Sequence, residues 1–357
     1  MAESLPALLS ASPPLWYTTG VTTVGIYGFG RIGRNLFRLL AARRDMEIGA
    51  ISDLADPAAV AYLLQFDTLL GRLAEDVSAA DGRLRVGGLS IPLLSGRDQP
   101  AVPRWGELGV HTVLEATSRG RTRAEVEAHL AAGARRVILL APPLEAPDAT
   151  IVMGVNDGAI EPSQRMVSNA SSTVHCLTPV LAILDAAFGI RRAIFTTIHS
   201  YTSAHRLADV PAEDKRRGRA AAENIIPQAS RSPAMAVDLL PGLRGKLSGY
   251  AMNVPISNGS VVDLVAWHEK PVTAAAVNAS LRAAAAQERW RGVLDYEDAP
   301  IVSSDVARSR FSATFDSLAT MTLGDRVSKT LSWFDSGYGY AHRAVDLVER
   351  FASLEAR

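Results

Sequence analysis

Three glycines in the run Gly28-Phe29-Gly30-Arg31-Ile32-Gly33 are spaced for contact with a phosphate, and an acid, Asp53, follows 20 residues after the last of them. The first glycine permits a tight turn. The second lets the backbone approach a pyrophosphate, and the third lets a helix pack closely on a strand. The N-terminus of such a helix offers free N–H groups and the positive end of its dipole to an anion. A carboxylate at the spacing of Asp53 reaches a ribose 2′-hydroxyl and repels a 2′-phosphate, so the chemistry indicated is binding of NAD rather than NADP. Gly28, Gly30, Arg31, Ile32, Gly33 and Asp53 are the candidate cofactor contacts.

The surrounding elements must hold that loop between a strand and a helix. Val21 to Tyr27 is rich in β-branched residues and reads as a strand. Leu36, Phe37, Leu39 and Leu40 recur at helical spacing and predict a helix over 34–43. A second strand over 47–52 leads into Asp53, and a helix is expected over 58–64. Segments 83–86 and 89–94 read as a hairpin, then 110–115 as a strand, 123–132 as a helix and 136–140 as a strand. This alternation predicts an α/β domain with a largely parallel sheet covered by helices.

Further along, the chain resembles the glyceraldehyde-3-phosphate dehydrogenase family. Val24 to Arg34 (VGIYGFGRIGR), Thr150 to Asn156 (TIVMGVN), Ser168 to Pro179 (SNASSTVHCLTP), Thr196 to Thr202 (TTIHSYT), Asn224 to Pro227 (NIIP), Gly245 to Leu247 (GKL), Ser260 to Val265 (SVVDLV) and Ser332 to Asp335 (SWFD) match its motifs in order. The resemblance implies a Rossmann-type dinucleotide-binding domain followed by an α+β catalytic domain. The expected boundaries are an N-terminal extension over 1–20, an NAD domain over 21–170, a catalytic domain over 171–335 and a C-terminal helix within 336–357 packing on the NAD domain. It also implies a homotetramer built through the loop 201–224.

In the family a thiolate attacks an aldehyde, a histidine acts as base while hydride passes to the nicotinamide, and phosphate cleaves the thioester. His199 matches that base, and Ser172 stands where the thiol belongs. A serine hydroxyl is far less acidic than a thiol and would need full activation by the histidine. The one cysteine, Cys176, lies a helical turn deeper, where the family also has a cysteine that is not the nucleophile. By resemblance, Ser171, Thr173, Thr202, Arg219, Ser230, Arg231 and Asn253 hold positions that contact substrate or phosphate, and Ser336 stands where an asparagine contacts the nicotinamide amide. Several have changed type. An arginine has become Asn253, an aspartate Ala204, a glutamine His205, and a threonine–glycine pair Ser230-Arg231. Loss of the arginine removes a fixed charge and a bidentate fork for phosphate. The expectation is an NAD-dependent oxidoreductase acting on an aldehyde or oxo group, with the phosphorylating activity lost or altered. The alternative is a catalytically inactive NAD-binding homologue with a structural or regulatory role.

Composition is consistent with either. Lys plus Arg equals Asp plus Glu at 37 each, which offers no basic surface for nucleic acid or an anionic membrane. One cysteine allows no intrachain disulfide and suits the cytoplasm. The Leu- and Ala-rich first 20 residues lack a basic n-region and are broken by Pro13-Pro14, which argues against a secretion signal. No run reaches the roughly 18 apolar residues of a membrane span. His175 and His205 are expected as packed histidines rather than metal ligands, so no metal is expected. Tyr27, Tyr250 and Tyr338 are also expected to pack, and 274–286 to form an amphipathic helix. The basic run Lys215 to Arg219 is expected at a subunit interface.

Overall fold

The computed structural model describes residues 21–96, 102–117 and 119–355. The extension expected over 1–20 lies outside them. The chain divides into two compact units. One comprises the chain up to Ile151, Asp157–Ala170 and the stretch from Ala341 onward; the other comprises Val152–Asn156 and Ser171–Tyr340.

The first unit is built on β1 (Thr22–Tyr27), α1 (Arg31–Leu40), β2 (Met46–Asp53), α2 (Pro57–Gln65), short strands β3 (Phe66–Asp67) and β4 (Gly71–Arg72), β5 (Val77–Ala80), β6 (Arg83–Val86), β7 (Leu89–Ser95), β8 (Thr112–Glu115), α3 (Arg123–Ala131), β9 (Arg136–Leu139), β10 (Ala149–Thr150) and β11 (Met166–Ser168). The sheet order is β10-β11-β9-β8-β1-β2-β7-β6-β5. It is parallel from β10 through β7 and ends in the antiparallel hairpin β6–β7 and its neighbour β5. The sequence pattern gives that hairpin but not β5. The central strands β8 and β9 are buried throughout, as covered parallel strands must be.

Helix α1 spans Arg31–Leu40, three residues earlier at each end than the apolar spacing suggests. Gly30 is its N-cap, in extended conformation, so the helix starts at once after the glycine loop. It ends at Ala41 because the chain must turn to enter β2 by Met46. Helix α3 opens on a reciprocal capping box between Thr122 and Glu125.

The second unit contains α4 (Ser172–Phe188), β12 (Ile190–Ser200), β13 (Ile226–Gln228), α5 (Ser232–Leu239), β14 (Leu247–Val254), β15 (Ser260–His268), α6 (Ala274–Ala285), β16 (Leu294–Glu297), β17 (Ala313–Leu323) and β18 (Val327–Phe334). These strands form one mixed sheet ordered β13-β14-β12-β15-β18-β17-β16. Strand β18 alternates buried and half-buried residues along its length, the signature of a sheet with one covered face. Leu177, Leu181 and Leu184 of α4 and Val277 and Leu281 of α6 pack with Phe195, Leu264 and Phe315 of the sheet. The last helix, α7 (Tyr338–Glu355), crosses the boundary and belongs to the first unit from Ala341. There Arg136 lies 3.6 Å from the Phe351 ring centroid and pairs with Glu355 at 2.9 Å. No helix among the described residues is long and apolar enough to cross a membrane.

Candidate active site

The glycine loop is shaped by contacts that leave no room for side chains except where a ligand would approach. A Cβ on Gly33 would lie 2.2 Å from the Gly28 carbonyl oxygen, and Gly28, at φ +95°, would press on Thr117. A Cβ on Gly30 would meet nothing within 4 Å, so this face of the loop is open. Gly30 also offers no side chain to cap α1, so no side-chain acceptor competes for the first-turn N–H groups. One Asp53 carboxylate oxygen accepts from the Phe29 N–H at 2.5 Å and the other from Ala55 N–H at 2.8 Å, which locks the acid to the loop. Glu115 anchors the opposite side by accepting from the Thr117 N–H at 2.7 Å. An open N-terminus, a close backbone and a fixed carboxylate fit a dinucleotide.

Sequence reasoning missed what supports Glu115. Trp105 Nε1 donates to His129 Nδ1 at 2.9 Å, and His129 Nε2 faces Glu115 at 3.5 Å, all three being buried. Tyr27 packs edge-on against His129 at 4.7 Å between ring centroids.

Ala170, the last residue of the first unit's stretch 157–170, is fully buried at φ +49° and turns the chain into α4 of the second unit. A left-handed backbone at a residue other than glycine is uncommon and was not legible in the sequence. Ser171 is the N-cap, its hydroxyl accepting from Val174 N–H at 3.3 Å, and Ser172 is the first helical residue. Thr173 is buried at once behind it. Ser172 therefore sits at the positive end of a 17-residue helix dipole. It lines a small recess with His175, Ser312, Phe334, Asp335 and Tyr340. His175 is packed there, its ring edge-on to Tyr340.

Cys176, by contrast, is completely buried and donates through Sγ to the Ser332 carbonyl oxygen at 3.4 Å. Burial pushes its thiol well above the usual range, so it holds no thiolate at neutral pH.

His199 lies on β12, half-buried, with Nδ1 2.7 Å from the Ser200 carbonyl oxygen. A carbonyl only accepts, so Nδ1 carries the hydrogen and Nε2 keeps its lone pair. Phe334, which lines the recess of Ser172, meets the His199 ring edge-on at 5.9 Å. The parallel register of β12 and β14 puts Asn253 beside His199, and Asn253 Nδ2 donates to the Ser200 carbonyl oxygen at 3.1 Å.

Thr202 begins the turn after β12. Its N–H donates to His205 Nδ1 at 3.1 Å, and its hydroxyl also lies 3.1 Å from that nitrogen. The remaining expected contacts are placed less closely. Arg219 is exposed and its guanidinium pairs with Asp209 at 2.8 Å. Ser230 accepts from Ser232 N–H at 3.1 Å, and exposed Arg231 caps α5 with no side-chain bond. Ser336 is buried, and its hydroxyl oxygen has no protein hydrogen-bond partner. Among the described residues no group of three His, Cys, Asp or Glu side chains could hold a metal ion.

Residues 22–123 match the glyceraldehyde 3-phosphate dehydrogenase NAD binding domain, and residues 171–336 match the C-terminal domain of the same family. The chain is 47% identical over 332 residues to the glyceraldehyde-3-phosphate dehydrogenase of Mycobacterium avium, covering 91% of this chain and 97% of that one. It is 46% identical over 331 residues to that of Geobacillus stearothermophilus, with 92% and 98% covered, and 45% identical over 327 residues to that of Streptomyces coelicolor, with 91% and 97% covered. A Rossmann-type unit with an open glycine loop, a catalytic-type second unit and these matches together show that the chain belongs to the glyceraldehyde-3-phosphate dehydrogenase family and that its cofactor is NAD.

Proposed function

We propose that this NAD-dependent dehydrogenase acts on an aldehyde or oxo group without a catalytic thiol, and that its phosphorylating activity is lost or very weak. The observation that carries the reading is the state of Cys176. The chain's only cysteine is fully buried, hydrogen-bonded and held protonated, while the half-buried N-terminus of its helix carries Ser172.

His199 is the base. Its Nε2 lone pair, fixed by the Nδ1 bond to Ser200, takes the proton from a substrate hydroxyl as hydride leaves the same carbon. Bound NAD⁺ supplies the hydride acceptor. In the reverse direction the same nitrogen returns the proton. Ser172, at the helix N-terminus, donates a hydrogen bond to the carbonyl oxygen that forms. Thr202 and Asn253 flank the base and belong to the substrate side, whereas Arg219 is already paired with Asp209. Ser171, Thr173, Ser230 and Arg231 are assigned to the remaining substrate contacts, and the unpartnered hydroxyl of Ser336 to the nicotinamide amide. The loop 201–224 is assigned to a homotetramer interface. Exposed Leu207 and Val210 on that loop support this assignment.

The test is turnover of D-glyceraldehyde 3-phosphate with NAD⁺ and inorganic phosphate by the wild type and by Ser172→Cys. The expected result is near-background activity in the wild type and no strong activity in the variant. Strong wild-type activity would overturn the proposal. Strong activity only in the variant would mean that a thiol alone is missing and the pocket is not rebuilt.

A further inference from the structure

A polar column runs through the apolar core of the first unit. Trp105 belongs to the cluster of Val113, Val126, Leu130 and Val137, and from there it bonds to buried His129, which faces buried Glu115. Polar groups in such surroundings cost stability unless they are paired. The indole Nε1 only donates, so His129 Nδ1 is the acceptor and the ring's hydrogen lies on Nε2. That hydrogen points at Glu115 Oε2 from 3.5 Å, an electrostatic contact longer than an ordinary hydrogen bond. Among the described residues Oε2 has no hydrogen-bond partner, and Gly120 closes over it, since a Cβ there would lie 2.5 Å from this oxygen.

The other oxygen, Oε1, accepts from the N–H and the hydroxyl of Thr117 at 2.7 and 2.5 Å. Thr117 Oγ1 in turn accepts from the N–H groups of Arg119 and Gly120 at 3.1 and 3.3 Å. The turn over 115–120 is therefore wound on one carboxylate. It stands against the glycine loop: the Ala116 N–H donates to the Tyr27 carbonyl oxygen at 2.7 Å, and a Cβ on Gly28 would lie 2.7 Å from the Thr117 nitrogen. Trp105 also supports the strand that enters the loop, because a Cβ on Gly25 would meet its ring at 2.8 Å. Both walls of the nucleotide site thus rest on one buried indole. We propose that His129 is a positioning residue for NAD: through Glu115 it holds the Thr117 turn against the glycine loop, and so sets cofactor affinity without touching the cofactor. Trp105 fixes its tautomer. The role concerns the cofactor alone and holds whatever substrate the enzyme oxidises.

The experiment is calorimetric titration of the full chain with NAD⁺, with melting temperature and amide hydrogen exchange over 115–121 measured on the same samples. His129→Gln places an amide nitrogen where imidazole Nε2 stood, whereas His129→Asn reaches only the place of Nδ1 and His129→Leu carries no donor. The glutamine variant binds NAD⁺ within about twofold of wild type, while the asparagine and leucine variants bind about fivefold more weakly. In those two, exchange of the Thr117, Arg119 and Gly120 amides rises. Glu115→Gln also weakens binding, and on that background His129→Leu adds nothing, because the histidine acts only through the carboxylate. Wild-type affinity in the asparagine and leucine variants, equal weakening by glutamine and asparagine, or losses that add to that of Glu115→Gln would each overturn the proposal. Should His129→Leu fail to fold, the comparison of glutamine with asparagine decides alone.

Discussion

Cys176 and Ser172 lie one turn apart on α4, and their surroundings assign them opposite fates. Desolvation alone raises the Cys176 thiol, and no cation offsets it. The native protein is therefore expected to resist iodoacetamide, with alkylation appearing only in denaturant. Fast modification of the folded chain, read by mass spectrometry, would show that the thiol is reachable and would reopen its candidacy as nucleophile. His268 carries a second prediction. It is fully buried between the Gly189 carbonyl and the Ser328 hydroxyl, and burial lowers its pKa. A histidine depressed in the fold contributes no pH dependence above its unfolded value of about 6.5. Below that, the unfolded chain takes up the proton first and stability is lost. The melting temperature should fall from about pH 7 to about pH 5, with His205 adding in the same direction, and His268→Asn should make the fall shallower. An unchanged slope in the variant would contradict the assignment.

Elements set where these residues can act, and here the sequence was readable to different depths. The glycine loop, its strand and its helix were legible because Gly28 and Gly33 have steric reasons at their own positions and Gly30 leaves the loop open to a ligand. Gly33→Ala would drive a Cβ into the Gly28 carbonyl and push α1 away from β1. The expected cost is about 1–3 kcal/mol of stability together with weaker NAD⁺ binding; a variant with wild-type melting and affinity would refute the packing argument. The start of α1 at Arg31 was missed because a helix can begin before its apolar stripe does, and the stripe alone marked its position. The mixed sheet of the second unit was legible only through family resemblance. Its register, His199 opposite Asn253, comes from β12 and β14 pairing in parallel although 46 residues separate the end of β12 from the start of β14. No local pattern predicts such a pairing. The left-handed turn at Ala170 was equally invisible, since alanine gives no sign of positive φ.

At the scale of the whole chain, two kinds of information separate. Relatives at 45–47% identity over nine-tenths of the chain establish the family, and family membership fixes the fold and the cofactor. The proposed chemistry rests on a few positions that the resemblance marks as changed, Ser172, Asn253, His205 and Ser336, since function lives in sites rather than in the fold. In the nucleotide loop Gly28 and Gly33 each have a steric reason, and Asp53 is fixed to the loop by the Phe29 N–H. The most direct test of the account is a calorimetric titration of cofactor-stripped protein with NAD⁺ and NADH, with NADP⁺ as control. The account predicts micromolar binding of NAD⁺ and NADH and none of NADP⁺, because the Asp53 carboxylate fixed on the loop repels a 2′-phosphate. No binding of any of the three would contradict it and leave a non-catalytic subunit of the family.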